Sequence, residues 1–219
     1  MKWQGQCATC SAWNSLSRVS VGPIAEPALG YAGADAEVKR LSEVEAEEAP
    51  RLPTGFSELD RVLGGGLVPG SVVLMGGDPG AGKSTLLLQV CTQLADGAEV
   101  LYVTGEESLH QLALRAQRLA WPAERLQVAS ETRGEAVARL IGAHNPSVVV
   151  LDSIQVMQLE TVESMPGSVS QVRETAAFFT RLAKQTGTVV ILVGHVTKEG
   201  SLAGPKVLEH MIDCFMMLD

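Results

Sequence analysis

No apolar run in these 219 residues approaches the roughly 20 that a membrane-spanning helix needs. Nor does a basic-then-apolar leader open the sequence, so a cytoplasmic protein with no membrane partner is expected. Cysteine is sparse. Cys7 and Cys10 sit close together, whereas Cys91 and Cys214 lie in apolar segments and read as buried thiols, which suits a reducing compartment. Positive charge is in deficit: 17 Lys and Arg stand against 25 Asp and Glu, a net charge of −8. That argues against a surface coated for nonspecific nucleic-acid binding, while leaving room for a local basic groove. Much of the excess falls between Asp35 and Glu48, so the folded part is closer to neutral. No internal repeat is visible. Against these absences stand 46% apolar and 19% charged residues, the proportions of a globular chain and not of a disordered one.

Three zones follow from the residue order. Residues 1–17 hold Cys7-Ala8-Thr9-Cys10 between Trp3 and Trp13. Residues 18–50, rich in Ala, Gly, Pro and Glu without a sustained period, read as a linker. From Arg51 to Asp219 strand-like and helix-like segments alternate, which predicts an α/β fold with a mostly parallel sheet flanked by helices. Strands are expected at 71–75, 99–103, 126–129, 147–151, 188–193 and 213–218. A short helix from Phe56 to Leu63, introduced by Thr54 and stopped by Gly64-Gly65-Gly66, precedes them. Leu109, Leu112, Ala113, Ala116, Leu119 and Ala120 repeat at helical spacing, as do Val169, Val172, Ala176, Phe179 and Ala183. Both stripes are expected to face the core.

The most specific signal is Gly77-Asp78-Pro79-Gly80-Ala81-Gly82-Lys83-Ser84, which matches G-x-x-x-x-G-K-[ST]. An apolar strand precedes it and a helix start at Thr85 follows, the context that a phosphate-cradling P-loop requires. Glycines let consecutive N–H groups turn inward toward an anion, and the helix N-terminus adds a favourable dipole. Lys83 supplies a mobile point charge for the β- and γ-phosphates, and the Ser84 hydroxyl is a ligand for Mg²⁺. A nucleoside triphosphate with Mg²⁺ is thus the expected ligand.

Three further strands end in chemistry. Val148 to Leu151 runs into Asp152, where a nucleotide-hydrolysing protein keeps the carboxylate that supports Mg²⁺. Tyr102-Val103-Thr104 runs into Glu106 and Glu107. One of them, with Glu106 nearer the strand, is a candidate base for the attacking water; the alternative is that both favour the next helix N-terminus. Ile191 to Gly194 runs into His195, a candidate sensor of the γ-phosphate, with a structural histidine as the other reading. The irregular stretches Thr161 to Ser168 and Thr197 to Lys206, the latter carrying Lys198, suit mobile DNA-contacting loops. Cys7 and Cys10 are half of a zinc site, since structural zinc takes four ligands.

With these residues in place the chain resembles the bacterial RadA (Sms) repair ATPases of the RecA superfamily. The resemblance rests on Trp3-Gln4-Gly5-Gln6-Cys7, Pro53-Thr54-Gly55-Phe56, Asp60 through Gly66, Thr104-Gly105-Glu106-Glu107-Ser108, Leu151-Asp152-Ser153-Ile154-Gln155, Gly194-His195-Val196-Thr197-Lys198 and Ala203 through His210. It implies a RecA-like P-loop core, with ATP in particular as its nucleotide, behind a partial zinc-ribbon-like segment. It further implies a hexameric motor on single-stranded or branched DNA, promoting branch migration of recombination intermediates, with a recombinase as a further partner. Lys83, Ser84 and Thr85 would bind phosphate and Mg²⁺, Asp152 would support Mg²⁺, Glu106 would be the base and His195 the sensor. Three family features are missing between Met1 and Asp219: the first of two CxxC pairs, the K-N-R-F-G motif and the Lon-protease-like domain. A clipped sequence is therefore expected, with incomplete zinc ligation and, as a second reading, an ATP-binding switch with little turnover.

Overall fold

The computed structural model describes residues 40, 42, 50–195 and 206–218. The expectations for residues 1–17, for most of 18–50 and for Lys198 fall outside the described residues. The elements run α1 (Ser57–Val62), β1 (Val72–Gly77), α2 (Lys83–Leu94), β2 (Val100–Thr104), α3 (Leu109–Arg118), β3 (Gln127–Ser130), α4 (Gly134–His144), β4 (Val148–Asp152), α5 (Val169–Thr186), β5 (Val189–Val193), α6 (Lys206–Glu209) and β6 (Cys214–Leu218).

The six strands form one sheet in the order β3-β2-β4-β5-β1-β6, and every neighbouring pair is parallel. Parallel strands need crossovers, and helices supply them on both faces, so β1, β2, β4 and β5 are buried throughout. Alternation of side chains sorts the core into two layers. Val73, Met75, Tyr102, Val150 and Ile191 meet α2 and α3 on one face. Val72, Leu74, Val103, Leu151 and Leu192 meet α4 and α5 on the other. The predicted strands are all present, each displaced by a residue or two.

Local details depart from expectation in two places. Thr54 does not cap α1; Phe56 occupies that position without a side-chain bond. The Thr54 hydroxyl instead donates to Asp60 Oδ1 at 2.8 Å, and its backbone N–H donates to the same oxygen at 2.7 Å. The α3 stripe is only partly a core face: Leu112 and Ala116 are buried, while Leu109 remains 42% exposed. The reason is that α3 packs at the edge of the sheet, over short β3, which leaves part of the helix uncovered. In α5, by contrast, Val172, Ala176, Phe179 and Ala183 are fully buried, and only Val169 of that stripe is exposed.

Between β3 and α4 the chain turns on Glu131. Its carboxylate accepts from the backbone N–H groups of Thr132 (2.9 Å) and Arg133 (3.0 Å) and from the Arg133 guanidinium. These bonds hold its pKa down to about 2. A carboxylate with a depressed folded-state pKa stabilises the protein above its unfolded value near 4.5, and that contribution is lost as pH falls toward 2. Glu131→Gln is therefore expected to cost about 1 kcal/mol at pH 7, the half-exposed Arg133 limiting the charge contribution. Urea unfolding from pH 7 to pH 3 checks this, because the gap to the unsubstituted protein should narrow only below pH 4.5.

Candidate functional site

Four adjacent strands, β2, β4, β5 and β1, end on the same rim of the sheet, because all run parallel. Open parallel sheets bind ligands beyond these carboxyl ends. Here that rim brings together Glu106 after β2, Asp152 at the end of β4, His195 after β5 and the P-loop after β1. A cavity of about 320 Å³ lined by Pro69, Pro146 and Gly187 lies at the opposite rim, where strands begin, away from these groups.

The P-loop geometry follows from its glycines. Gly77 has a φ of 152°, and a Cβ there would sit 2.4 Å from the Leu218 carbonyl oxygen. Gly82 caps α2 in the left-handed region, at φ 93°, with open space where a side chain would project. The first N–H groups of α2 then have no carbonyl partner within the helix and form an anion-binding end. Ser84 and Thr85 lie half-buried on that first turn. Lys83 is buried and folds back onto the loop, its Nζ donating to Gly77 O at 2.7 Å and Asp78 O at 2.9 Å. Burial pushes its pKa down, opposed by the charges of Asp152, Asp78 and Glu106. The ammonium is thus desolvated with three carboxylates nearby, and it is the side-chain cation that the loop would offer to a polyphosphate.

Asp152 is 8% exposed. The Tyr102 hydroxyl donates to its Oδ2, and Oδ1 carries no hydrogen bond from the described residues. Burial and the adjacent Asp152 charge push the Tyr102 phenol up, so it stays protonated as a donor. Among the described residues no group of three or more His, Cys, Asp or Glu could hold a metal alone. That does not exclude Mg²⁺, since Mg²⁺ at phosphate sites takes one or two protein ligands, water and the phosphates. Ser84 and Asp152 Oδ1 fit that requirement.

The neighbouring acids separate cleanly. Glu106 Oε1 accepts from Ser153 Oγ and lies 3.2 Å from His195 Nε2. Glu107 instead pairs with Arg115 on α3. Its backbone closes a turn with Thr104, whose hydroxyl accepts from Glu107 N at 2.9 Å. Of the two, only Glu106 contacts other groups of the rim. Gln155, just past β4, donates through Nε2 to the His195 carbonyl at 3.4 Å, tying the histidine to the segment that follows Asp152. Within that segment Met165 is 80% exposed, while buried Gln171 of α5 donates to the carbonyls of Leu159, Val162 and Ser164. Sequence reasoning missed Tyr102, Ser153, Gln155 and Gln171. For Tyr102, Ser153 and Gln155 the signal is a polar residue in or just after an apolar strand, and for Gln171 a polar residue on the buried face of α5.

Comparison with known proteins agrees with this geometry. A family model described as an AAA domain matches residues 37–201. The DNA repair protein RadA of Escherichia coli (strain K12) is 55% identical over 225 residues, covering 100% of this chain and 49% of that protein. RadA of Haemophilus influenzae is 55% identical over 223 residues with the same coverage, and RadA of Bacillus subtilis (strain 168) is 46% identical over 224. The chain spans about half the length of the curated relatives it matches. No helix among the described residues is long and apolar enough to cross a membrane. With an all-parallel sheet, a P-loop on its rim and a family model matched over most of its length, the chain belongs to the AAA domain family, among the RadA proteins.

Proposed function

We propose that this chain is the ATP-hydrolysing core of a DNA repair protein that binds single-stranded DNA and acts on recombination intermediates, assembled as a ring of six. The observation that carries the reading is the convergence of Lys83, Asp152, Glu106 and His195 on one rim, beside a P-loop. Lys83 would leave the Gly77 and Asp78 carbonyls for the β- and γ-phosphates, while the first-turn N–H groups of α2 hold the remaining oxygens. Ser84 and Asp152 would hold Mg²⁺, which would supply positive charge to offset that of the phosphates. Glu106 would orient a water whose oxygen attacks the γ-phosphorus. As that bond forms, the bond to the β–γ bridging oxygen breaks, its electron pair leaves with ADP, and the water's proton passes to Glu106.

His195 stands between the base and the loop strand, so its ring would exchange Glu106 for the γ-phosphate when nucleotide binds. Through Gln155 this exchange would reach the stretch Thr161 to Ser168, and Thr197 to Lys206 follows the histidine in sequence. These two stretches are the proposed DNA contacts, and the names of the RadA relatives support a role in DNA repair. The test is ATP hydrolysis with and without mixed-sequence single-stranded DNA. Several-fold stimulation is expected. Equal rates would remove DNA coupling, and tight ATP binding without turnover would turn the reading toward a nucleotide switch.

A further inference from the structure

Two hydroxyls cross the β2–β4 pair in opposite directions. Tyr102 on β2 donates to Asp152 on β4, and Ser153, directly after β4, donates to Glu106, just beyond β2. The backbone closes the same rung, with Thr104 in register with Asp152 and the Gly105 N–H donating to Asp152 O at 2.7 Å. Each strand thus carries one carboxylate of the site and the hydroxyl that holds the other.

We propose that Tyr102 and Ser153 are positioning residues for ATP hydrolysis, Tyr102 fixing the carboxylate that supports Mg²⁺ and Ser153 fixing the carboxylate that takes the water's proton. The inference rests on the hydrolytic reading above and assigns its supporting groups. Tyr102 is fully buried in the apolar layer against α2 and α3, where phenylalanine would fill the same space. Its hydroxyl is therefore dispensable for packing, and its one hydrogen bond among the described residues fixes which oxygen of Asp152 stays available. Ser153 is fully buried too. By tethering Oε1 of Glu106, with His195 on the same oxygen, it leaves Oε2 without a hydrogen bond from the described residues. That oxygen is the one a water would meet. Groups that orient metal-supporting and catalytic side chains typically account for about 10- to 100-fold in metal affinity or activity.

Tyr102→Phe and Ser153→Ala are compared with the unsubstituted protein by three readouts. These are the thermal midpoint, the Mg²⁺ dependence of binding to a fluorescent, non-hydrolysable ATP analogue, and kcat at saturating Mg²⁺. For Tyr102→Phe the Mg²⁺ concentration at half-saturation should rise ~10-fold, analogue binding in EDTA should not change, and kcat should recover at high Mg²⁺. For Ser153→Ala the Mg²⁺ dependence and KM should hold while kcat falls ~10-fold. Thermal midpoints should stay close to the unsubstituted value in both. Unchanged Mg²⁺ dependence in the first variant, or unchanged kcat in the second, would overturn the assignment. So would losses that track a common fall in thermal midpoint. An unsubstituted protein that binds no nucleotide would instead bring down the hydrolytic reading, a result visible before any variant is compared.

Discussion

Lys83→Ala should cut ATP turnover by about 10²–10³-fold while leaving the fold intact. The ammonium is satisfied by two carbonyls of the loop, at 2.7 and 2.9 Å, and it is desolvated. Burial disfavours its charged form, so the folded protein loses little by its removal, and the thermal midpoint should hold or rise. The nucleotide complex is different. There the lysine is the one side-chain cation of the P-loop facing a polyphosphate, with Asp78, Asp152 and Glu106 all adding negative charge nearby. Without it, repulsion between these carboxylates and the phosphates goes unopposed. A drop of ~10²–10³ in kcat/KM is expected from losing one such preorganised group, with weaker ATP binding by calorimetry. A variant that turns over ATP normally would show that the loop does not hold the reacting phosphates.

Glu106→Gln should separate binding from chemistry. Glutamine keeps an acceptor for Ser153 and a partner for His195, so nucleotide affinity should stay within a few-fold of the unsubstituted value. It cannot take the water's proton, and single-turnover hydrolysis should fall by ~10²–10⁴. Glu107→Gln is the internal comparison. That side chain is committed to Arg115 on α3, so its replacement should loosen the β2–α3 turn and leave turnover nearly as it was. If Glu107→Gln stopped hydrolysis while Glu106→Gln did not, the roles of the two acids would be reversed.

The strands were legible because a doubly covered parallel sheet needs unbroken apolar runs, and Val148 to Leu151 or Val189 to Val193 are just that. The P-loop was legible because its glycines and lysine are local in sequence. What escaped depends on register. Ser153 and Glu106 are 47 residues apart, and only the pairing of β2 with β4 makes them neighbours. Glu106 was named from the sequence as the acid nearer the strand, but the pairing that takes Glu107 to Arg115 on α3 was not visible there. Tyr102 was hidden for another reason. Within an apolar strand its ring is what periodicity registers, and its hydroxyl is invisible until the partner strand is placed. The α3 stripe misled because helical spacing reports amphipathicity without reporting how much sheet lies beneath it.

The position of β5 between β1 and β4 has a metric consequence. Neighbouring strands stand about 4.8 Å apart, so the phosphate loop and the acidic strand are separated by roughly twice that distance. In the proposed nucleotide complex that interval would be closed by side chains from both sides, Lys83 reaching from the loop strand and Asp152 from the acidic one. The sheet spacing, and not the length of any one side chain, would set the width of the site between them.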